Sequence, residues 1–280
     1  MKSKTRVRAV AGLITAVAEA VALVGCTPTS SGQTGAAGTQ ASELSQILNR
    51  GTIRVADCLS FAPFGFKNAQ GNPDGYDVDI AKAIAQQLGV KLQMVDTTSA
   101  NRIPNLQTNK VDLVICNFTR NGERAKQVAF TDPYVVASES LLVKQDSGIN
   151  SINDLSGKTV ATVKGSTDSD ILQTHHANVK TQEYDTSQAA ILAVKQGQAS
   201  AMIEDSNFLA YQAKLDPSLK VTGDQLVPLE YNAMAVKQGD QIWLNWMNLF
   251  LFDYNASGQN ATDYQKWFGI KPKYPLQPQY

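Results

Sequence analysis

The chain has 280 residues, of which 43% are hydrophobic and 18% are charged, a composition typical of globular proteins that excludes a largely disordered chain. This length exceeds one average domain, so we expect two compact lobes. The formal charge is zero, and residues 1–25 contain four cations and one anion, so the remainder is slightly acidic. An acidic protein has no electrostatic reason to bind nucleic acid.

The N-terminus is typical of an export signal, because a cationic stretch precedes an apolar run over residues 9–25. The run ends in Leu23-Val24-Gly25-Cys26, which resembles the lipobox of bacterial lipoproteins. That resemblance implies a signal peptide over residues 1–25 and lipidation of Cys26. Glu19 is unfavourable within such a run, and a chance cysteine in an ordinary signal peptide is the alternative. Residues 26–48 are predicted to be the lipidated cysteine and a flexible tether, rich in Ser, Thr, Gly, Ala and Gln.

From Thr52 onward, short apolar runs alternate with amphipathic stretches, which predicts βα units around parallel sheets. The first strands are expected at residues 53–56, 90–94 and 111–116. Between the first two, Asp77 is predicted to cap a helix that Gly89 ends. The last of these strands is apolar almost throughout, as a central strand buried on both faces would be.

A second series of βα units begins near Gly157. Strands are predicted at residues 159–163, 179–181 and 201–203, and helices after Gly165, at 187–196 and at 207–214. A strand at 233–236 and a helix at 242–252 follow. No short-period repeat or heptad array is present.

Several motifs in one order identify a family. The chain resembles the family 3 extracellular solute-binding proteins, the polar amino-acid receptors of ABC importers, over roughly residues 49–270. The motifs are Ala62-Pro63-Phe64, Gly75-Tyr76-Asp77-Val78-Asp79, Asn101-Arg102-Ile103-Pro104, Glu123-Arg124-Ala125-Lys126, Phe130-Thr131-Asp132-Pro133-Tyr134, Asp154-Leu155-Ser156-Gly157-Lys158 and Lys266-Trp267-Phe268-Gly269.

The resemblance implies an α/β fold of the type II periplasmic-binding-protein class, with two lobes of mostly parallel sheet flanked by helices and a two-strand hinge. Lobe 1 would contain residues 49–137 and 230–280, and lobe 2 residues 138–229. It further implies a monomer, without a cofactor, that captures a polar L-amino acid by lobe closure and delivers it to an ABC transporter permease. The lipid anchor would hold it at the cell membrane, facing the extracellular or periplasmic side.

The binding residues follow from the chemistry of an amino acid and from the family motif. A buried carboxylate needs a cation with hydrogen-bond donors, and a buried ammonium needs an anion. The resemblance assigns the carboxylate to Arg124, aided by Thr119 and by Ser166 and Thr167 at a strand-to-helix turn. It assigns the ammonium to Asp205. The alternatives are a solvated Arg124 and an Asp205 that only caps a helix.

The ligand side chain is expected to meet a second group of residues. The predicted group consists of Phe61, Asn117, Ser99, Arg102 and Cys58. Arg102 matches an arginine that contacts the side-chain carboxylate in acidic amino-acid receptors of the family, so Glu or Asp is favoured. Cys58 stands where many relatives carry an Asp or Arg, so Gln, Asn or another small polar ligand is the next choice, before sulfur-containing or aromatic ligands. Basic ligands are disfavoured, because Arg102 would repel them.

Cys58 and Cys116 end two strands that we expect to be adjacent in the sheet of lobe 1. A disulfide between them is geometrically possible in an exported protein. Two independent thiols along the cleft are the alternative. The spacing of the cysteines matches no zinc motif, and His175 and His176 are adjacent rather than four residues apart, so no metal site is expected.

Two other functions stay open at the level of the sequence. The first is an enzyme resembling periplasmic cyclohexadienyl dehydratases on the same fold, for which Glu204 and Glu230 are the only nearby carboxylates; Glu204 is expected to face solvent or the lobe packing. The second is a sensor that reports the amino acid to a receptor. The resemblance nevertheless implies a binding protein and not an enzyme, and this is what we expect.

Overall fold

The computed structural model describes residues 41–222 and 225–276. The predicted signal peptide and Cys26 lie outside these residues. The helices are α1 Glu43–Arg50, α2 Tyr76–Leu88, α3 Arg102–Gln107, α4 Gly122–Ala125, α5 Asp168–His175, α6 Ser187–Gln196, α7 Ser206–Leu215, α8 Gln241–Ala256 and α9 Gln259–Phe268. The strands are β1 Thr52–Asp57, β2 Ser60–Phe61, β3 Gly65–Lys67, β4 Pro73–Asp74, β5 Lys91–Asp96, β6 Leu113–Val114, β7 Ala129–Ala137, β8 Glu139–Lys144, β9 Thr159–Val163, β10 Lys180–Tyr184, β11 Ala201–Asp205, β12 Leu219–Val221 and β13 Glu230–Val236.

Two five-stranded sheets organise the molecule, as the predicted two-lobed α/β fold requires. The first has the order β5-β1-β6-β13-β7, and the second has the order β10-β9-β11-β8-β12. In the first sheet β1 pairs in parallel with β5 and β6, while β13 is antiparallel to β6 and β7. In the second sheet β9 is parallel to β10 and β11, while β8 is antiparallel to β11 and β12. A small antiparallel sheet of β2, β3 and β4 lies beside them.

The chain passes from the first sheet to the second at Ser138, between β7 and β8, and returns before β13. The two crossings contact each other, since the Ser138 hydroxyl donates to the carbonyl oxygen of Val227 at 2.8 Å. Glu230, the first residue of β13, pairs with Ala137 at the end of β7. We propose these strand ends as the lobe limits, which places residues 49–137 and 230–280 in lobe 1 and residues 138–229 in lobe 2.

The predicted tether is wrong at its C-terminal end, because residues 43–48 belong to α1. Ser42 accepts a hydrogen bond from the amide of Ser45 as N-cap, and Gly51 ends the helix in the left-handed conformation. The amphipathic helix buries Ile47 completely in the core of the first lobe. Burial of this apolar side chain stabilises the helix against the body of the protein.

Two other local predictions differ from the structure. Helix α2 begins at Tyr76 with Gly75 as its N-cap, so Asp77 lies inside the first turn and is buried rather than capping. The predicted strand 111–116 is buried throughout, but only Leu113–Val114 is a strand, between β1 and β13; the flanking amides of Asp112 and Ile115 also donate to β1. None of the helices within residues 41–222 and 225–276 has both the length and the hydropathy needed to cross a bilayer.

Candidate functional site

A small cavity lies between the two sheets and is lined by residues of both. Its walls contain nine of the ten predicted ligand-binding residues: Cys58, Phe61, Ser99, Arg102, Asn117, Thr119, Arg124, Ser166 and Thr167. Four further residues line it: Cys116, Glu139, Asp168 and Glu204. Asp205 is the predicted residue that does not line it.

Arg124 lies in the short helix α4, which Asn121 caps by accepting from the Arg124 amide at 2.9 Å. The side chain turns back toward the cavity, where Nη1 donates to the carbonyl oxygen of Thr119 at 2.7 Å and Nη2 to that of Gly165 at 2.9 Å. Burial is the main cause that lowers the pKa of Arg124. The side chain is half-buried and held by these two carbonyl oxygens, so the alternative of a fully solvated cation does not describe it.

Arg102, at the start of α3, is buried beside Arg124, and both guanidinium groups contact the ring of Phe118, at 4.1 and 5.0 Å from the ring centroid. Burial and then the neighbouring cation of Arg124 lower the pKa of Arg102 well below its ordinary value. Its N–H groups donate to backbone carbonyl oxygens: Nε to Ser99, Nη1 to Cys116 and Asn117, and Nη2 to Gly165, at 2.8–3.2 Å. Arg102 thus joins two backbone segments of lobe 1, at Ser99 and at Cys116-Asn117, to the Gly165 turn of lobe 2.

The Gly165 turn brings residues of lobe 2 to the part of the cavity beside Arg102 and Arg124. It connects β9 to α5 and carries Ser166 and Thr167, both of which face the cavity. Ser166 Oγ donates to the carbonyl oxygen of Val163 at 2.6 Å and accepts from the Asp168 amide at 3.2 Å. In this arrangement the Gly165 carbonyl oxygen accepts hydrogen bonds from both guanidinium groups.

Asp205 ends β11 and caps α7, as the structural alternative proposed. Oδ1 accepts from the amides of Asn207 and Phe208 at 2.8 and 3.1 Å, and Oδ2 accepts from Asn232 Nδ2 at 3.2 Å. The same Asn232 amide group also donates to Asn117 Oδ1. Burial raises the pKa of Asp205 to about 6. Asp205 is thus connected to the cavity through one amide side chain rather than lining it.

Phe61 and the cysteines form the aromatic and sulfur-containing part of the wall. The Phe61 ring stacks on Phe208 of lobe 2 with centroids 4.1 Å apart and planes at 8°. Cys58 follows β1 and Cys116 follows β6, with Cα atoms 5.2 Å apart, and the two are disulfide-bonded. Of the two open alternatives for these cysteines, the structure contains the bonded one. Ser99 lies on the same wall, at the start of a short 3₁₀ turn.

Sequence reasoning missed the lining residues Glu139 and Asp168 and named Glu204 only as a nearby carboxylate; all three acids are buried. The expectation that Glu204 faces solvent or the lobe packing is wrong, because its side chain is 8% exposed and lines the cavity. A usable signal was present: Glu139 and Glu204 each interrupt an apolar strand, and carboxylates are rarely buried there without a function.

Two lobes around a small polar cavity define a binding protein for a small solute. The family model for bacterial extracellular solute-binding proteins, family 3, matches residues 53–270. The chain belongs to this family.

Known relatives agree with this assignment. The chain is 36% identical over 229 residues to a glutamine-binding protein of Geobacillus stearothermophilus, covering 78% of this chain and 87% of the relative. It superposes on the solute receptor for L-cysteine of Neisseria gonorrhoeae with a TM-score of 0.79 and 31% identity, covering 83% and 98% of the two chains.

An ancestral amino acid-binding protein, a precursor of cyclohexadienyl dehydratase, superposes with a TM-score of 0.77 and 38% identity, covering 81% of this chain and all of that one. This neighbour is itself described as a binding protein. These relatives are described as solute-binding proteins and not as enzymes, which confirms the expectation that the chain is a binding protein and not an enzyme.

Proposed function

We propose that this protein captures a polar L-amino acid between its lobes and delivers it to an ABC import permease. The observation that carries the proposal is the pair of guanidinium groups, buried Arg102 and half-buried Arg124, both bonded to a turn of the opposite lobe at one cavity. The glutamine-binding and L-cysteine-binding relatives support an amino acid as the ligand.

In this proposal the ligand carboxylate takes the place of the Gly165 carbonyl oxygen at Arg124. A carboxylate accepts stronger hydrogen bonds from a guanidinium than a neutral carbonyl does, so the exchange is favourable. Thr119, Ser166 and Thr167 add hydroxyl and backbone donors from both lobes. The ammonium group then faces the buried carboxylates of lobe 2, among which the sequence predicts Asp205. Binding groups from both lobes couple ligand capture to closure.

Arg102 bears on which side chain the ligand carries. On the sequence alone, Arg102 indicates a ligand with an acidic side chain, with an amide as the next choice. In the closed structure four of its hydrogen bonds go to backbone carbonyl oxygens, so its support for a side-chain carboxylate is weaker than its position suggested.

The test is a thermal-shift panel of the twenty amino acids followed by calorimetry with those that bind. A ligand at a hundred times its dissociation constant adds about 2.7 kcal/mol to the unfolding free energy. We expect Arg124→Ala to weaken binding roughly 100-fold or more, because a buried ligand carboxylate loses its cation. Arg120→Ala is the matched control, since Arg120 is exposed in the same segment. Normal affinity in Arg124→Ala, or no binding of any amino acid, contradicts the proposal.

Anchorage at the membrane through Cys26 is proposed from the lipobox resemblance alone. Two acyl chains hold a protein stably at a bilayer, so Cys26→Ser should move the protein to the soluble fraction or leave it as precursor. Membrane fractionation measures this, and an unmodified mature chain cleaved at another residue counts against it.

Transport rather than sensing is tested by uptake of the labelled ligand. Deletion of the gene should abolish uptake if the protein serves transport and leave uptake unchanged if the protein is a sensor.

A further inference from the structure

Three carboxylic acids of lobe 2 meet in one wall of the cavity. Glu139 begins β8, Asp168 begins α5 and Glu204 lies next to the end of β11. One carboxylate oxygen from each lies within 4.8 Å of those of the other two. All three side chains are at least nine-tenths buried, with exposed fractions of 4%, 0% and 8%. We call them the acidic triad.

Arg102 and Arg124 face the triad and interact with it electrostatically, but neither forms a salt bridge with it among the described residues. No ion pair in residues 41–222 and 225–276 joins Arg102 or Arg124 to any of the three, and both arginines donate to backbone carbonyl oxygens instead. Glu139 Oε2 and Asp168 Oδ1 are buried without any hydrogen-bond donor. Unpartnered oxygens of two cavity-lining acids point to a donor that the ligand brings.

Holding three buried carboxylates this close is electrostatically costly. Burial first, and then the mutual repulsion of the acids, raise the pKa of Glu139 and Glu204 well above their ordinary values. Burial likewise raises the pKa of Asp168 to about 7. Glu230 adds to the repulsion on Glu139, and Asp205 adds to the repulsion on Glu204. Both increase the negative potential around the triad. A cation between these groups would relieve the repulsion and satisfy the free oxygens.

We propose that the acidic triad of Glu139, Asp168 and Glu204 binds a cationic side chain of the ligand, so that the captured amino acid is a basic one such as arginine or lysine. This rests on the proposed function and names its substrate class. It also reverses the expectation from Arg102 that basic ligands are repelled.

The balance of charges in the cavity favours this class. Two guanidinium groups face three carboxylates across the cavity. A zwitterionic ligand adds one charge of each sign and leaves that excess of carboxylates unchanged, whereas an acidic ligand increases it. A basic ligand supplies the missing positive charge together with several N–H donors. A calcium or magnesium ion would need six or more oxygen ligands in a cavity that also contains two arginines, which makes a metal the weaker choice.

The experiment is calorimetry with L-arginine, L-lysine, L-glutamine and L-glutamate on EDTA-treated protein, with calcium alone as a further arm. We expect arginine or lysine to bind at least ~10-fold more tightly than glutamine, and glutamate to bind most weakly. Tighter binding of glutamine or glutamate overturns the triad proposal and leaves amino-acid capture standing. No binding of any amino acid overturns both. Calcium bound at the triad in the absence of amino acid would assign the triad to a metal and overturn the proposal.

Glu139→Gln and Asp168→Asn separate a side-chain subsite from a general ammonium site. Each keeps the shape of its side chain, and the amide oxygen introduced by Asp168→Asn can still accept from the Val163 amide, as Asp168 Oδ2 does now at 3.3 Å. We expect each variant to weaken arginine binding by roughly 10-fold or more and glutamine binding by less than about threefold. Glu183→Gln, which removes an exposed carboxylate from the same lobe, is the control. Equal losses for both ligands, or unchanged arginine affinity, contradict the proposal.

Discussion

Gly165 is the residue on which lobe contact depends most directly. Its φ of +79° lies in the left-handed region, and a Cβ atom added there would be 2.6 Å from Ala100 Cα in the other lobe. Its carbonyl oxygen accepts from Arg102 and Arg124 across the cleft. Only a residue without a side chain lets this turn approach lobe 1 so closely.

Gly165→Ala should therefore weaken lobe closure and ligand binding. The methyl group would contact backbone atoms of Ser99 and Ala100, which cannot move aside as a flexible side chain could. We expect ligand affinity to fall by ~10-fold or more, since binding must then pay for the displaced turn. Calorimetry measures the affinity, and small-angle scattering measures the radius of gyration of the liganded protein.

The control for this substitution is Gly157→Ala in the same lobe. Gly157 has a φ of +71°, so alanine meets the same backbone strain, but the added Cβ has no atom within 4 Å. Equal affinity in the two variants would show that backbone strain, and not contact between the lobes, decides the effect.

At the scale of elements, the sequence predicts best where the signals are local. Helix α6 runs over Ser187–Gln196 as expected, because Thr186 accepts from the Ala189 amide and Gly197 ends the helix. Strand β9 likewise has the predicted limits, Thr159–Val163. Each boundary is set by residues inside or next to the element.

Elements that depend on distant partners were predicted less well. Asp77 is of a residue type that often caps helices. In the structure its Oδ2 instead accepts from the Asn117 amide and the Tyr134 hydroxyl, both far along the chain. Helix α1 was assigned to the tether because its only fully buried side chain, Ile47, packs on elements much later in the sequence. Tertiary contacts override local pattern at these positions.

The candidate site divides in the same way. Nine of the predicted ligand-binding residues line the cavity, and the sequence offers them as members of motifs or as close neighbours of motifs and of predicted strand ends. The acidic triad could not be placed, because it depends on strand pairing: Glu139 is opposite Asp205 where β8 meets β11, and β9, which leads to Asp168, pairs with the same strand. Sheet register, which pattern alone does not specify, brings the three acids together.

At the scale of the whole molecule, buried carboxylic acids occupy both lobes. Asp57 and Asp77 are buried in lobe 1, where Asp77 accepts from the amide of cavity-lining Asn117, and the acidic triad lies in lobe 2. Burial raises the pKa of Asp57 well above its ordinary value and that of Asp77 to about 7. Each such acid destabilises the folded state when it is ionised, because water would solvate the charge better. The ligand-free protein accordingly bears an electrostatic cost that is concentrated around its cleft.

This cost predicts that the ligand-free protein loses stability as pH rises from 5 to 8. The folded pKa of Asp77 and of Asp168, about 7 in each case, lies above the value of about 3.9 for an unfolded aspartate. A carboxyl group with a raised folded pKa contributes its full stability below the unfolded value and loses it as pH rises through the folded value. Exposed acids of the opposite kind, such as Asp216, whose pKa Lys195 lowers to about 2, act only below this range.

Urea unfolding at pH 5, 6, 7 and 8 measures this effect directly. We expect the unfolding free energy to fall by at least about 1.4 kcal/mol across the range, the equivalent of one pKa unit, with an unchanged dependence on urea. Asp77→Asn should flatten the profile, because the asparagine oxygen can still accept from Asn117 and Tyr134 while no charge forms. Asp253→Asn, at an exposed position of α8, should leave the slope as it is. Stability that rises toward pH 8, or a slope that Asp77→Asn does not change, would mean that these acids are ionised in the folded protein at little cost.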